Sequence, residues 1–228
     1  MSVTPETIWV VVPAYNEGSV IGPTMRDLLQ SFASVVVVDD CSSDQTGAAA
    51  LDAGTHVVRH PINLGQGAAL ATGITYALRA GATAIVTFDA DGQHSATEAR
   101  AMVGLLQQSG LDVVLGSRFL GQTHGMSSAR RALLKLAVLF TRLTTGLRLT
   151  DAHNGLRVLS RRAAEVIHIR QNRMAHASET LEQIASKRLS FVEAPCTITY
   201  TEYSMSKGQR WVGAFAIVSD LLTRRLYR

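Results

Sequence analysis

The stretch VTFDADGQHSATE, residues 86–98, sets Asp89 and Asp91 one residue apart where an apolar run stops. Two close carboxylates repel each other unless a cation lies between them or one takes up a proton. At a strand end both can turn toward one cation, with Gln93 adding a neutral oxygen. Oxygen ligands that share a cation with a diphosphate suit Mg²⁺ or Mn²⁺. The competing reading is a capped loop, because Asp is common at turns. His94 reads as a loop or acceptor-side residue rather than a ligand.

Other polar clusters offer related chemistry. Asp39 and Asp40 in DDCSSD could accept hydrogen bonds from a ribose hydroxyl or a base NH. Helix capping competes for that role, with Ser42, Ser43 and Asp44 nearby. PAYNEG, residues 13–18, brings Pro13 to stiffen a turn, Tyr15 to stack, and Glu17 near a helix start. NLGQGAAL, residues 63–70, has the spacing G-x-G-x-x-L. It lacks the third glycine and the placement of a dinucleotide fingerprint, but suits a glycine-rich helix start close to a ligand. Arg118, Arg131, Arg157, Lys207 and Arg210 are candidate phosphate partners, since a planar guanidinium suits bidentate contact. Solvated surface charge is the alternative for each. No Ser–His–Asp or Cys–His nucleophile set stands out, and His176 and Cys196 read as structural or surface residues.

These clusters need elements to position them. Apolar runs at 8–12, 35–38, 56–59, 84–88 and 112–116 read as strands buried on both faces of a parallel sheet. Helical patterns lie near 17–32, 44–53, 66–80 and 95–109, following Asn16, Ser43, Gly65 and Ser95. Alternation of this kind predicts an α/β fold with right-handed crossovers. Ligands of such sheets bind beyond the carboxyl ends of the strands. PAYNEG, DDCSSD, DADGQH and GSRFLG all fall at those ends, so four clusters converge on one rim.

Beyond residue 118 the pattern is less regular. Residues 127–148 read as an amphipathic helix, with Arg131, Lys135 and Arg142 on one side and Leu133, Leu136, Leu139, Phe140 and Leu143 supplying apolar surface. Residues 211–228 read as a second helix with a basic end.

The chain has 228 residues and no Pro/Gly/Ser-rich linker, which favours one domain, residues 1–228, with a first half to 118 and a second half from 119. Its two cysteines lack CxxC spacing, against a disulfide framework or a structural zinc. No run approaches the roughly 18 apolar residues of a membrane span. A cytoplasmic protein is expected, free or peripheral at the inner face of the membrane. Residues 1–100 carry 4 Lys/Arg against 10 Asp/Glu, and residues 101–228 carry 18 against 8. An acidic half can hold a metal, and a basic half can meet phosphates or an anionic membrane. Few aromatics, 6%, and no recognised binding motif speak against nucleic acid.

VVVPAYNE, VVVVDDCSSDQT, NLGQGAAL, FDADGQH, GSRFLG, DAHNGLRVLS and YSMSKG occur in this order over about residues 7–210. Together they resemble family 2 glycosyltransferases, above all the branch typified by dolichol-phosphate mannosyltransferase and bacterial polyprenyl-phosphate glycosyltransferases. The resemblance implies a GT-A fold, a Rossmann-like, mostly parallel sheet flanked by helices. It implies a nucleotide-diphosphate sugar donor of the GDP-mannose or UDP-glucose type. Pro13, Tyr15, Glu17, Asp39, Asp40 and the backbone of Ala90 would then hold the donor. Asp89, Asp91 and Gln93 would bind Mg²⁺ or Mn²⁺. Arg118, Arg131, Arg157 and Lys207 would face phosphates of donor or acceptor. The chain departs from the family pattern at Cys41, where Gly is usual, at Gly92, at His153–Asn154 and at Thr201.

The reaction expected is transfer of a hexosyl group to a polyprenyl phosphate, with inversion. The alternative is a glycan hydroxyl acceptor in cell-surface polysaccharide synthesis. That acceptor would need a carboxylate base, for which Asp151 and Glu179 are the candidates. Asp89, Asp91, Arg118 and Asp151 thus form the expected catalytic set.

Overall fold

The computed structural model describes residues 7–199, so Thr201, Lys207, Arg210 and the expected helix at 211–228 lie outside the described residues. Strands β1 (Ile8–Ala14), β2 (Ser34–Asp39), β3 (His56–Arg59), β4 (Ala84–Thr87) and β5 (Val113–Ser117) alternate with helices α1 (Ile21–Ser31), α2 (Thr46–Asp52), α3 (Gln66–Arg79) and α4 (Ala96–Ser109). Then follow β6 (Thr123–His124), α5 (Ser128–Thr145), β7 (Arg157–Ser160), α6 (Arg161–Val166), α7 (His176–Ser186), β8 (Phe191–Pro195) and β9 (Ile198–Thr199).

All five expected strands form. Helix α1 begins at Ile21 rather than near 17, because Glu17 O closes a turn by accepting from Val20 N and Ile21 N. Helix α4 starts where its cap predicts: Ser95 Oγ accepts from Glu98 N, and Gly110 ends it at φ 64°.

The sheet order is β3-β2-β1-β4-β7-β5-β8. Strand β7 runs antiparallel between β4 and β5, with Val158 facing Val86 on one side and Val114 on the other. The other pairings in this sheet are parallel. Strands from both halves of the chain therefore build one sheet. The sequence pattern did not reveal β7 and β8, because RVLS and FVEAP are short and pair with strands distant in the chain.

Side chains alternate across the sheet, as a period of two requires. From β1, Val10 and Val12 pack with Ile21, Met25 and Leu28 of α1 and with Met102 and Val103 of α4. Trp9 and Val11 face the opposite layer, with Leu70, Ile74 and Ala77 of α3 and Leu181 and Ile184 of α7. Helix α3 approaches so closely that a Cβ on Gly73 would lie 2.3 Å from Val11 Cγ1. Both faces of the sheet are covered except at the edge strand β3, where His56 and Arg59 are exposed, and the carboxyl-end rim carries the polar loops.

Candidate functional site

The first two loops of the rim are stitched together. Asn16 N donates to Ser42 Oγ (3.0 Å) and Ser43 N to Asn16 Oδ1 (2.8 Å). Glu17 N donates to Thr46 Oγ1 (2.7 Å) and Gly18 N to Asp44 Oδ2 (3.0 Å). These bonds explain why PAYNEG and DDCSSDQT carry so many small polar residues. Pro13 is buried at the end of β1, while Tyr15 is 48% exposed on the platform the bonds hold.

Asp39 and Asp40 are brought to this rim, but their carboxylates turn inward. Asp39 Oδ1 accepts from Ser42 N at 2.9 Å, and its Oδ2 lies 3.6 Å from Arg59 Nε. Asp40 Oδ1 lies 2.7 Å from His60 Nδ1 and accepts from Leu64 N at 2.9 Å; its Oδ2 accepts from Gly65 N at 2.6 Å. His60 Nε2 in turn sits 3.0 Å from Thr72 Oγ1 on α3. Asp40 thereby fixes the loop that starts α3, whereas the sequence offered it a ribose or base contact or the capping of α2.

That loop leads to the paired aspartates. Gln66, the first residue of α3, donates from Nε2 to Asp89 Oδ1 at 3.1 Å. His94 Nε2 lies 3.2 Å from Asp89 Oδ2. The backbone of Gly155 presses against the same carboxylate, and a Cβ there would stand 2.1 Å from Oδ2. Asp91 accepts from Gln93 N at 3.1 Å and from Gln93 Nε2 at 2.5 Å.

The two carboxyls are driven apart in acidity. Burial pushes Asp89 up, but the hydrogen bond with His94 and the nearby positive charge of Arg157 outweigh it and hold Asp89 below its ordinary value. Burial and the charge of Asp89 push Asp91 up to about 6. Two close carboxyls of unequal acidity can share either a proton or a cation. Among the described residues no group of three or more His, Cys, Asp or Glu is arranged to hold a metal. A cation here would therefore be shared between Asp91, Asp89, Gln93 and ligand oxygens, which fits an ion that arrives with a diphosphate.

On the far side of the rim the expected catalytic pair is committed internally. Arg118 Nε donates to Asp151 Oδ2 at 2.6 Å, its backbone N to the same oxygen at 3.1 Å, and its Nη2 to His153 O. Both residues are buried. Asp151 is consequently placed to orient Arg118 and the 151–155 loop, not to act as a free base. Glu179 Oε2 accepts from Arg170 N and Gln171 N at 3.0 and 2.9 Å, so the second base candidate also caps a loop.

Arg157 is buried beneath this loop. Its Nε donates to Asn154 O at 3.1 Å and its Nη2 to Ala177 O at 3.3 Å. Burial pulls its pKa down to about 10. No ion pair among the described residues includes it. Burial and the nearby Arg157 charge hold His153 and His176 near 4, so both are neutral at physiological pH. Nε2 of His153, Nδ1 of His94 and both ring nitrogens of His176 are buried without a hydrogen-bond partner in the structure. Sequence reasoning missed Gln66, His60 and His153, and treated His176 as incidental. The available signals were the glycine-rich start of α3 and the departure from the family pattern at His153–Asn154. Arg131 lies away from this cluster, exposed on α5, with Nη2 3.4 Å from Thr123 Oγ1.

The sequence model described as glycosyl transferase family 2 matches residues 9–167. A UDP-N-acetylglucosamine–dolichyl-phosphate N-acetylglucosaminyltransferase of Methanococcus voltae is 28% identical, over 96% of each chain. A polyprenol monophosphomannose synthase of Mycolicibacterium smegmatis is 29% identical, over 87% of this chain and 79% of the relative. Among solved structures, glucosyl-3-phosphoglycerate synthase from Mycobacterium tuberculosis, in complex with Mg²⁺ and uridine diphosphate, superposes with a TM-score of 0.74. It is 18% identical and covers 96% of this chain and 79% of its own.

Proposed function

As a member of glycosyl transferase family 2 with a GT-A fold, the chain is a glycosyltransferase, and we propose that it moves a hexosyl group from a nucleotide-diphosphate sugar to a polyprenyl phosphate with inversion. The carrying observation is that both candidate bases, Asp151 and Glu179, are tied up in internal bonds. A sugar hydroxyl needs a base to take its proton. A phosphate monoester has a second pKa near ~6 and arrives largely ionised. Its oxygen can attack the anomeric carbon directly, so the site has to position it and does not have to deprotonate it. Among the described residues, neither base named for the glycan-acceptor reading stands free. The named relatives that use dolichyl or polyprenol phosphate support the same choice.

On this reading Pro13, Tyr15, Glu17 and the backbone of Asp40 and Ala90 would hold the donor. Asp91, Asp89 and Gln93 would hold Mg²⁺ or Mn²⁺, whose bound charge would offset that of the departing diphosphate. Gln66, His94 and Gly155 orient Asp89. Asp151 aims Arg118, and Arg157 supplies a buried positive field beneath the reacting phosphates. Lys207, on the same reading, joins the acceptor phosphate. On this reading the reaction takes place at a membrane surface, on its cytoplasmic side.

The test is transfer from a panel of radiolabelled nucleotide sugars into organic-extractable lipid, with polyprenyl phosphate and Mg²⁺ or Mn²⁺. Metal-dependent label in the lipid phase, lost in Asp91→Ala, is the expected result and would name the donor. Turnover that leaves the lipid phase unlabelled but labels a glycan would move the acceptor to a hydroxyl.

A further inference from the structure

Helix α5 is poorly covered by the described residues. Of its 18 residues only Val138 and Thr141 are buried. Leu136, Leu139 and Leu143 are 58%, 52% and 77% exposed. Ala129 and Ala132 are exposed as well. At about 100° per residue, these five fall within an arc of roughly 80°. That arc lies roughly opposite Val138 and Thr141, the side that packs toward α7. Arg131, Lys135 and Arg142 form a row along one edge of the arc, all exposed. Phe140 and Leu133 border its other edge. No Asp or Glu occurs between Asp112 and Asp151.

We propose that this outward stripe of α5 is the surface by which the protein docks on an anionic lipid bilayer, with Leu136, Leu139 and Leu143 entering the acyl boundary and Arg131 and Lys135 meeting headgroups. An exposed leucine stripe flanked by cations and free of acids matches an interfacial helix. Charge decides between occupants. A second copy laid on the same face would bring two basic rows together, whereas anionic headgroups neutralise them. The helix lies on the membrane and does not cross it, since no helix among the described residues is long and apolar enough to do so. The inference rests on the polyprenyl-phosphate reading above, because a membrane-bound acceptor is what the docked enzyme would reach.

Two measurements on the full chain test it. The first is flotation with neutral and with phosphatidylglycerol-containing vesicles, comparing wild type with the triple variant Leu136→Ser/Leu139→Ser/Leu143→Ser. Binding of wild type to the anionic vesicles, weakened by salt and reduced about tenfold or more in the variant, is expected. Transfer to a short, water-soluble isoprenyl phosphate should be equal in both proteins, because these leucines stand outside the reaction site. Loss of that transfer in wild type would sink the acceptor reading. Retained transfer with unchanged vesicle binding in the variant would overturn the docking surface alone. The second is fluorescence of Leu139→Trp, read as a difference from wild type. Solvent-exposed emission without vesicles, quenched by brominated acyl chains when they are added, is expected. Emission already shielded without lipid would show the stripe covered by the chain's own residues 200–228 or by a second copy, and would overturn it.

Discussion

Asp89 takes hydrogen bonds from Gln66 and His94, whereas Asp91 takes its bonds from Gln93, and the two titrate in opposite directions. Residue type set the chemistry of this pair, but neighbours set the division of labour. Gly155 shows how tightly the first aspartate is held, since its missing side chain makes room for that carboxylate. Gly155→Ala should therefore lower transfer by about 100-fold and cost about 1–3 kcal/mol in urea unfolding, as expected for a forced overpacking. His176 carries a stability signature. Its folded-state pKa lies near 4 against an ordinary 6.5, because burial and Arg157 disfavour its charge. The unfolded chain takes up that proton first, so the contribution is complete above about 6.5 and is lost as pH falls toward about 4. Within that window His176→Gln should lose less stability than wild type, by up to about 1.4 kcal/mol per pH unit. Chemical denaturation at a series of pH values reads this difference directly.

At the scale of elements, the strand-end loops work because of what lies behind them. The bonds from Asn16, Glu17 and Gly18 to the 42–46 loop make one platform from two motifs. Asp40, His60 and Thr72 tie the end of β2 to α3, and α3 then presents Gln66 to Asp89. An element can also carry strain that its sequence does not need. Arg188 follows α7 with φ 54°, in the left-handed region that favours glycine. It is exposed, so Arg188→Gly should raise stability by about 0.5–1 kcal/mol, visible as a higher melting temperature with unchanged transfer. The short strands β7 and β8 were not legible from pattern. Four or five residues give too little periodicity, and their pairing partners lie far away in the chain.

For the whole molecule, the insertion of β7 between β4 and β5 decides cooperativity. Val86, Val158 and Val114 pair across three strands, so the first half has a gap in its sheet without the second. A fragment of residues 1–118 should show no cooperative urea transition by circular dichroism, while the full chain shows one. The same insertion explains the charge asymmetry in functional terms. The acidic half contributes the paired aspartates, and the second half delivers Arg157 and the loop at Gly155 against them.

The sequence by itself determined the α/β class, the five strands up to Ser117 and the paired aspartates at the strand-end rim, because local periodicity and turn chemistry act over a few residues. It also marked the amphipathic helix now seen as α5. Only the tertiary structure decided which polar residues are open to a ligand. Asp40, Arg118, Asp151 and Glu179 read as available groups in the sequence, yet each is bound to partners 8 to 35 residues away. Availability is a property of how distant segments pack, since a buried polar group must find a partner wherever the fold brings one.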